Sequence, residues 1–521
     1  MSAETLRGRR GAVSAGSQLP ATIAMQVLRD GGNAVDAAIA GAAAQCVCEM
    51  PWCGIGGDGF ALLRLPDGTV HGFNGSGVAP ANVLHALGER PQVPRFGAVS
   101  AAVPAVIDAW YQLHDRFGTM PFGDLLEPAI QLARDGVPLD PRLLGALLEI
   151  PDLEGGDQLT TLLDGAELAL GRPFRQPDLA GTLAAIESDG PDAFYRGEVA
   201  ASIARHVAAR GGALDASDLA AHDGRWVDPV SVRYRDATVH SNAPVSMGVL
   251  LLVCLRVLEH RFPGGMPGDP LERTDVLVRV KQIVFGEVLP LLGDPAIVSG
   301  PDPLDDALIS DIVRRLETSA PAPGGAFEPL GTDTTSLAVT DSDGLAVSFI
   351  HSLFNEFGAR ELVPGTGIVL NDRLANLRTG TGNNALEPGK RPLHTLHSYL
   401  AERADGPLHV GATPGGRGQV QTNLQVLLNL LDDGEPLQAA IDRPRWVSGL
   451  PRRAPDDQTL YLEPALADIA DALSERGHVV EVVDSTMNDH FGNCSVVGHD
   501  ADTGVHLAAA DARRAGHAAV W

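Results

Sequence analysis

Basic residues are in short supply in this chain. Thirty-nine Lys and Arg stand against 66 Asp and Glu, a net charge of −27 at pH 7. Such a field repels phosphate backbones and anionic lipid, so nucleic acid and anionic membrane surfaces are excluded as partners. Long apolar runs are missing as well. The best candidate, residues 249–258, is interrupted by Arg256 and is far shorter than the roughly 20 residues a spanning helix needs. The basic start of the sequence has no apolar run behind it, so no signal peptide is read and a cytoplasmic location is expected. Cysteine occurs five times, at Cys46, Cys48, Cys53, Cys254 and Cys494. Cys46-x-Cys48-x4-Cys53 has a metal-like spacing, but no His lies near it at ligand spacing. These thiols are therefore read as small buried side chains, and no metal or cofactor is expected. Aromatics are sparse at 5%, and neither a fixed-period repeat nor a low-complexity tract is present.

What the chain does have is aliphatic bulk and turns. A hydrophobic content of 44%, with 59 Gly and 37 Pro over 521 residues, describes a globular protein with ample core and many chain reversals. That length admits two domains or one large layered domain. The organising stretch is 331–350. Two strands, 336–340 and 345–350, flank an Asp341-Ser-Asp-Gly344 turn, and Asp-Gly between β-rich runs signals a hairpin. A Pro/Gly-rich segment, 319–331, leads into Asp333 and Thr334 at the start of the first strand. This placement suits self-cleavage. The Thr334 hydroxyl attacks the Asp333 carbonyl, the acyl group shifts from N to O, and hydrolysis frees Thr334 as a new N-terminus. A freed Thr carries both a nucleophile and a base, since an α-amine titrates near pH 8. The same two threonines also satisfy ordinary β-propensity.

Elsewhere, two helices are read within 19–49, the second capped at Asn33. Gly54-Ile-Gly56-Gly-Asp-Gly59 satisfies a dinucleotide-binding pattern, but a helix precedes it and a strand follows, the reverse of what that site needs. Its glycines are read as permitting close backbone packing beside a site. A hairpin is expected at 60–73, helices at 105–117 and 121–134, and a mostly helical stretch over 141–320. Pro414-Gly415-Gly416-Arg417 precedes a helix at 419–431, and a turn of that kind can offer backbone N–H groups to an oxyanion. His351, His394 and His397 are read as structural, and His394-x-x-His397 as too thin for a metal.

Taken together, several ordered stretches resemble the γ-glutamyltransferase family of N-terminal-nucleophile hydrolases. They are Gly31-Gly-Asn-Ala-Val-Asp-Ala-Ala38, Gly56-Gly-Asp-Gly-Phe60, Phe117-Gly-Thr-Met-Pro121, Leu132-Ala-Arg-Asp-Gly136, Gly190-Pro-Asp-Ala-Phe-Tyr195 and Leu292-Gly-Asp-Pro295. Further on come Thr334-Thr335, Asp343-Gly-Leu-Ala-Val347, Pro364-Gly-Thr-Gly-Ile368, Arg391-Pro-Leu393 and Pro414-Gly-Gly416. The resemblance covers nearly the whole chain. It implies an α+β fold, a four-layer αββα sandwich, and a precursor cleaved between Asp333 and Thr334. The segments 1–333 and 334–521 would then stay together as a heterodimer within one αββα domain, with a dimer of these as a further possibility. It also implies Thr334 as nucleophile, Gly415 and Gly416 as oxyanion-binding amides, and Ser352 as a hydroxyl bonded to the nucleophile's amine.

The departures concern recognition of the acyl group. The family's carboxylate-binding Arg corresponds to Ser76, and a pair of serines that assists it corresponds to His394-Thr395. The groups that hold the α-amine correspond to Phe354, Arg373 and Asn376. The expectation is an autoprocessing hydrolase or acyltransferase that cleaves an amide in a small-molecule or peptide-like substrate, with water or an amine as acceptor. Its acyl group would differ from γ-glutamyl, and Arg373 and Arg417 are candidates for an acid-binding clamp. A C–C bond beside a carbonyl, or a non-catalytic binding role on the same fold, are the alternatives.

Overall fold

A computed structural model describes residues 4–318, 333–449, 458–484 and 491–521. The Pro/Gly-rich segment before Asp333 lies outside them.

The central hairpin is longer than its β-propensity suggests. Its strands run Asp333–Asp341 and Ala346–Phe354, and every residue of both is buried. Asp341 closes the turn, because its Oδ1 accepts the Asp343 and Leu345 amides (3.0 and 3.1 Å) and Gly344 takes a left-handed φ of 86°. Its Oδ2 accepts the Ala34 amide (2.9 Å) in the first turn of a neighbouring helix, which fastens hairpin to helix.

Fourteen strands make two seven-stranded antiparallel sheets. We number them β1 Leu6–Gly8, β2 Gly11–Ala15, β3 Asp58–Arg64, β4 Val70–Gly75, β5 Arg225–Val227, β6 Val230–Tyr234 and β7 Ala237–Ser241. The remainder are β8 Asp333–Asp341, β9 Ala346–Phe354, β10 Ser398–Arg403, β11 Leu408–Ala412, β12 Ser495–Asp500, β13 Val505–Ala510 and β14 His517–Val520. One sheet has the order β14-β2-β8-β9-β3-β4-β5 and the other β1-β13-β12-β11-β10-β7-β6.

Between the sheets the side chains are small or hydroxylated. Ala12, Ala338, Ala346 and Ala508 pack with Leu62, Leu400 and Val410. Ser14 Oγ donates to the Ala509 carbonyl (2.8 Å) and Ser495 Oγ to the Ser336 carbonyl (3.0 Å), so these two hydroxyls find partners across the layers. The outer faces are covered by helices: α1 Gln18–Arg29, α2 Ala34–Cys48 and α3 Phe122–Asp135 on the hairpin's sheet, α4 Gly248–Arg261, α5 Pro270–Glu287 and α6 Gly418–Leu431 on the other. The result is the four-layer αββα sandwich. No helix among the described residues is long and apolar enough to cross a membrane, and the apolar run at 249–258 lies within α4.

All fifteen residues of α2 are buried. The helix is rich in alanine because it lies between α1, α3 and β8 with no room for larger side chains. Asn33 and Asp36 close its N-terminus as a capping box, and the Asp36 carboxylate also accepts the Thr119 amide (3.0 Å) and the Thr119 hydroxyl (2.5 Å). Asp36→Ala strips a cap and leaves the part-buried donors of Asn33 and Thr119 without their acceptor. It is expected to cost about 3 kcal/mol, read as a lower urea midpoint at unchanged slope.

The reading of 141–320 as mostly helical overlooks the hairpin β6–β7. Its turn is Arg235-Asp236, with no glycine to announce it. Arg235 holds φ at 56° because its guanidinium is pinned between Glu259 (2.5 Å) and Asp432 (2.7 Å), both distant in sequence.

Candidate active site

The hairpin loses its regular register where Thr334 sits. Asp333 pairs with Phe354 and Thr335 with His351, so two residues, Ser352 and Leu353, oppose Thr334 alone. The irregularity turns two hydroxyls toward one carbonyl. Thr334 Oγ1 donates to the Asp333 carbonyl oxygen (2.5 Å), and Ser352 Oγ donates to the same oxygen (2.6 Å) while accepting the Phe354 amide (2.7 Å). In the intact chain Ser352 therefore contacts the carbonyl oxygen of the 333–334 bond. All three residues are buried. Gly57 lies flat against β9, since a Cβ there would come within 2.3 Å of the Ser352 carbonyl oxygen. This is the close packing expected of that glycine-rich stretch.

Gly415 and Gly416 follow β11 with φ of 122° and 55°, a conformation that favours glycine at both positions. Among the described residues neither amide donates a hydrogen bond. The turn connects toward β8 through the loop before β12. Asn493 donates its amide to Thr413 Oγ1 (3.1 Å) and its side-chain Nδ2 to the Gly16 carbonyl (3.2 Å), and Gly16 is packed against Thr335 and Glu49. Arg417, buried, occupies the N-cap position of α6 directly after these glycines.

A second group assembles at the same end of β9, around Phe354. Phe354, with φ of 88°, lays its ring 4.6 Å from the Arg373 guanidinium carbon. Arg373 is fully buried, and its Nε donates to Asp58 Oδ2 (2.9 Å). Its two terminal nitrogens, Nη1 and Nη2, are buried and have no hydrogen-bond partner among the described residues. Asp58 sits on β3 opposite Ser352, and its Oδ1 accepts the Gly77 amide (2.9 Å). Burial raises the Asp58 pKa against the pull of Arg373 and Gly77, and burial lowers that of Arg373 against the pull of Asp58.

His394 completes this group. Its ring is buried beside Phe60 (4.8 Å between centroids), neither ring nitrogen has a partner among the described residues, and burial together with Arg373 and Arg391 pushes its pKa far below the ordinary value. It is neutral at physiological pH. Beside it, Thr395 is buried and accepts His397 Nδ1 at its carbonyl (2.8 Å).

Two of the expected recognition residues are used internally. Ser76 Oγ donates to Asn74 Oδ1 (2.6 Å) while its carbonyl accepts Arg391 Nε (3.2 Å), so Ser76 anchors the loop that presents Gly77 to Asp58. Asn376 Nδ2 donates to the Leu393 carbonyl (2.5 Å), which fixes the segment carrying His394. Asp58, Asn493 and Gln45 were not singled out from the sequence. Gln45 Nε2 donates to Thr335 Oγ1 (2.8 Å) and to the Ser336 carbonyl (3.1 Å). Only Asp58 left a trace, as the acid inside Gly56-Gly-Asp58-Gly59.

A family model described as gamma-glutamyltranspeptidase matches residues 20–521. The chain belongs to the γ-glutamyltranspeptidase family. It is 32% identical to an oxamate amidohydrolase proenzyme of Klebsiella pneumoniae over 91% of this chain and 92% of that one. A glutathione hydrolase-like proenzyme of Bacillus subtilis is 33% identical over 88% and 89% of the two chains. Among solved structures, a cephalosporin acylase from Bacillus halodurans superposes with a TM-score of 0.89 at 31% identity, covering 100% of this chain and 97% of that one. The protein is thus an enzyme of the γ-glutamyltranspeptidase family, an N-terminal-nucleophile hydrolase or acyltransferase that uses a Thr freed by autoprocessing. Its relatives act on more than one kind of amide.

Proposed function

We propose that this enzyme hydrolyses, or transfers the acyl group of, amides whose acyl portion carries its own carboxylate, such as the monoamides of dicarboxylic acids. The observation that carries the reading is Arg373. Two buried guanidinium nitrogens without partners stand next to the residues that hold the Asp333–Thr334 bond, and a carboxylate accepts such a fork in bidentate fashion. Phe354 and neutral His394 line the same space, which keeps water from competing for the guanidinium. The relative named as an oxamate amidohydrolase supports the reading, because oxamate is an amide that bears a carboxylate.

Maturation precedes catalysis. Thr334 Oγ1 attacks the Asp333 carbonyl carbon while Ser352 Oγ supports the developing oxyanion. Water then cleaves the ester, leaving Asp333 as a carboxylate on segment 1–333 and Thr334 with a free amine on segment 334–521. In turnover that amine takes the Thr334 hydroxyl proton, Oγ1 attacks the substrate amide, and the Gly415 and Gly416 amides hold the oxyanion. The proton passes to the departing amine, and water or an acceptor amine resolves the acyl-enzyme ester.

Ser352→Ala removes one oxyanion donor and is expected to slow self-cleavage by about 10²–10³-fold, measured as the disappearance of full-length chain by mass spectrometry. Specificity is tested with glutaryl-p-nitroanilide and γ-glutamyl-p-nitroanilide, with preference for the first as the expected result. Comparable kcat/KM on the two would overturn the carboxylate reading.

A further inference from the structure

On the side of the nucleophile hairpin that faces α2, three buried donors converge that play no part in the chemistry above. Cys46 lies on α2, Cys53 in the loop that follows it, and His351 on β9, one residue before Ser352. One ligand atom from each lies within 4.8 Å of the other two, and Cys46 Sγ is 3.9 Å from His351 Nδ1. All three side chains are shut off from solvent.

The hydrogen bonds assign the imidazole tautomer. Gln45 Nε2 donates to the Ser336 carbonyl, which can only accept, so Gln45 Oε1 is left as the acceptor. His351 Nε2 lies 3.0 Å from that oxygen and so carries the ring proton. With Nε2 committed to Gln45, Nδ1 is the ring nitrogen that faces the two thiols. A hydrogen bond on the far nitrogen is the arrangement that orients a metal-binding His.

We propose that Cys46, Cys53 and His351 form an S2N site for a thiophilic cation, and that Cu+ is the ion it fits. Two thiolates and an imidazole are soft to borderline donors, a set that suits monovalent copper. Zn2+ in a closed site takes four ligands, and among the described residues no fourth His, Cys, Asp or Glu joins the group. Binding is a ligand exchange without a redox step: two thiol protons are released, two Cu–S bonds and one Cu–N bond form, and copper remains Cu+. The ion would tie α2 to β9 behind Ser352, and Gln45 carries the same support to Thr335.

The test is metal analysis of the full-length protein produced in copper-supplemented cells and purified anaerobically with reductant. About one copper per chain is expected, with loss to background in Cys46→Ser/Cys53→Ser and in His351→Gln, and retention in Cys254→Ser. A wild-type measurement guards against misfolded variants. Copper at background in the wild type, copper retained without the two thiols, zinc in its place, or a Cys46–Cys53 disulfide would each overturn the proposal.

Discussion

Thr334→Ala is expected to leave the protein as a single 54.5 kDa chain and to lower amide hydrolysis by at least about 10⁴-fold. The size follows from the double use of one side chain. Alanine removes the Oγ1 that lies 2.5 Å from the Asp333 carbonyl oxygen, so the acyl shift has no nucleophile. Without the shift the Thr334 amine remains locked in a peptide bond, and the general base is lost along with the hydroxyl. Fold loss is not the reason for the effect, since Thr334 opposes two residues where the ladder is already irregular. Intact mass under denaturing conditions separates the outcomes. Two fragments from Thr334→Ala, split at the same bond, would show that another group cleaves the chain and would remove Thr334 from its role.

The second large effect is expected at Arg373. Arg373→Gln should lower kcat/KM for a glutaryl amide by roughly 30- to 5000-fold, the equivalent of the 2–5 kcal/mol lost when a buried charge pair forfeits one partner. Amides with a neutral acyl group should change little. The substitution also deprives Asp58 of its ion-pair partner, and a carboxylate buried alone destabilises the protein. Pairing it with Asp58→Asn removes that charge and separates recognition from folding. If the double variant still hydrolyses glutaryl amides within a few-fold of wild type, Arg373 does not bind the acyl carboxylate.

Much of this site is written in short stretches of sequence. The Asp-Gly turn, the Thr334–Thr335 start of a strand and the Asn33 cap are local signals, because turn geometry, strand propensity and capping depend on residues within about four positions of one another. The same holds for Gly415 and Gly416, whose left-handed dihedrals suit glycine. Arg373 could be singled out as a charged residue where recognition groups were expected, but its partner Asp58 lies 315 positions away. The sequence likewise gave no means to tell that Asn376 Nδ2 would be spent on a carbonyl, or that the hairpin β6–β7 would turn on an arginine. The thiols at 46 and 53 were set aside for want of a nearby His, and the fold brings His351 to Cys46 from 305 positions away.

By itself, then, the sequence determined the hairpin and, through its ordered motifs, the αββα class. Tertiary structure decided which polar groups are consumed internally and which are left free. The division has a physical cause. Backbone dihedrals and periodicity are set by neighbours along the chain, whereas the desolvation that leaves Arg373 with two unpaired nitrogens and His394 neutral arises only when distant strands close around them.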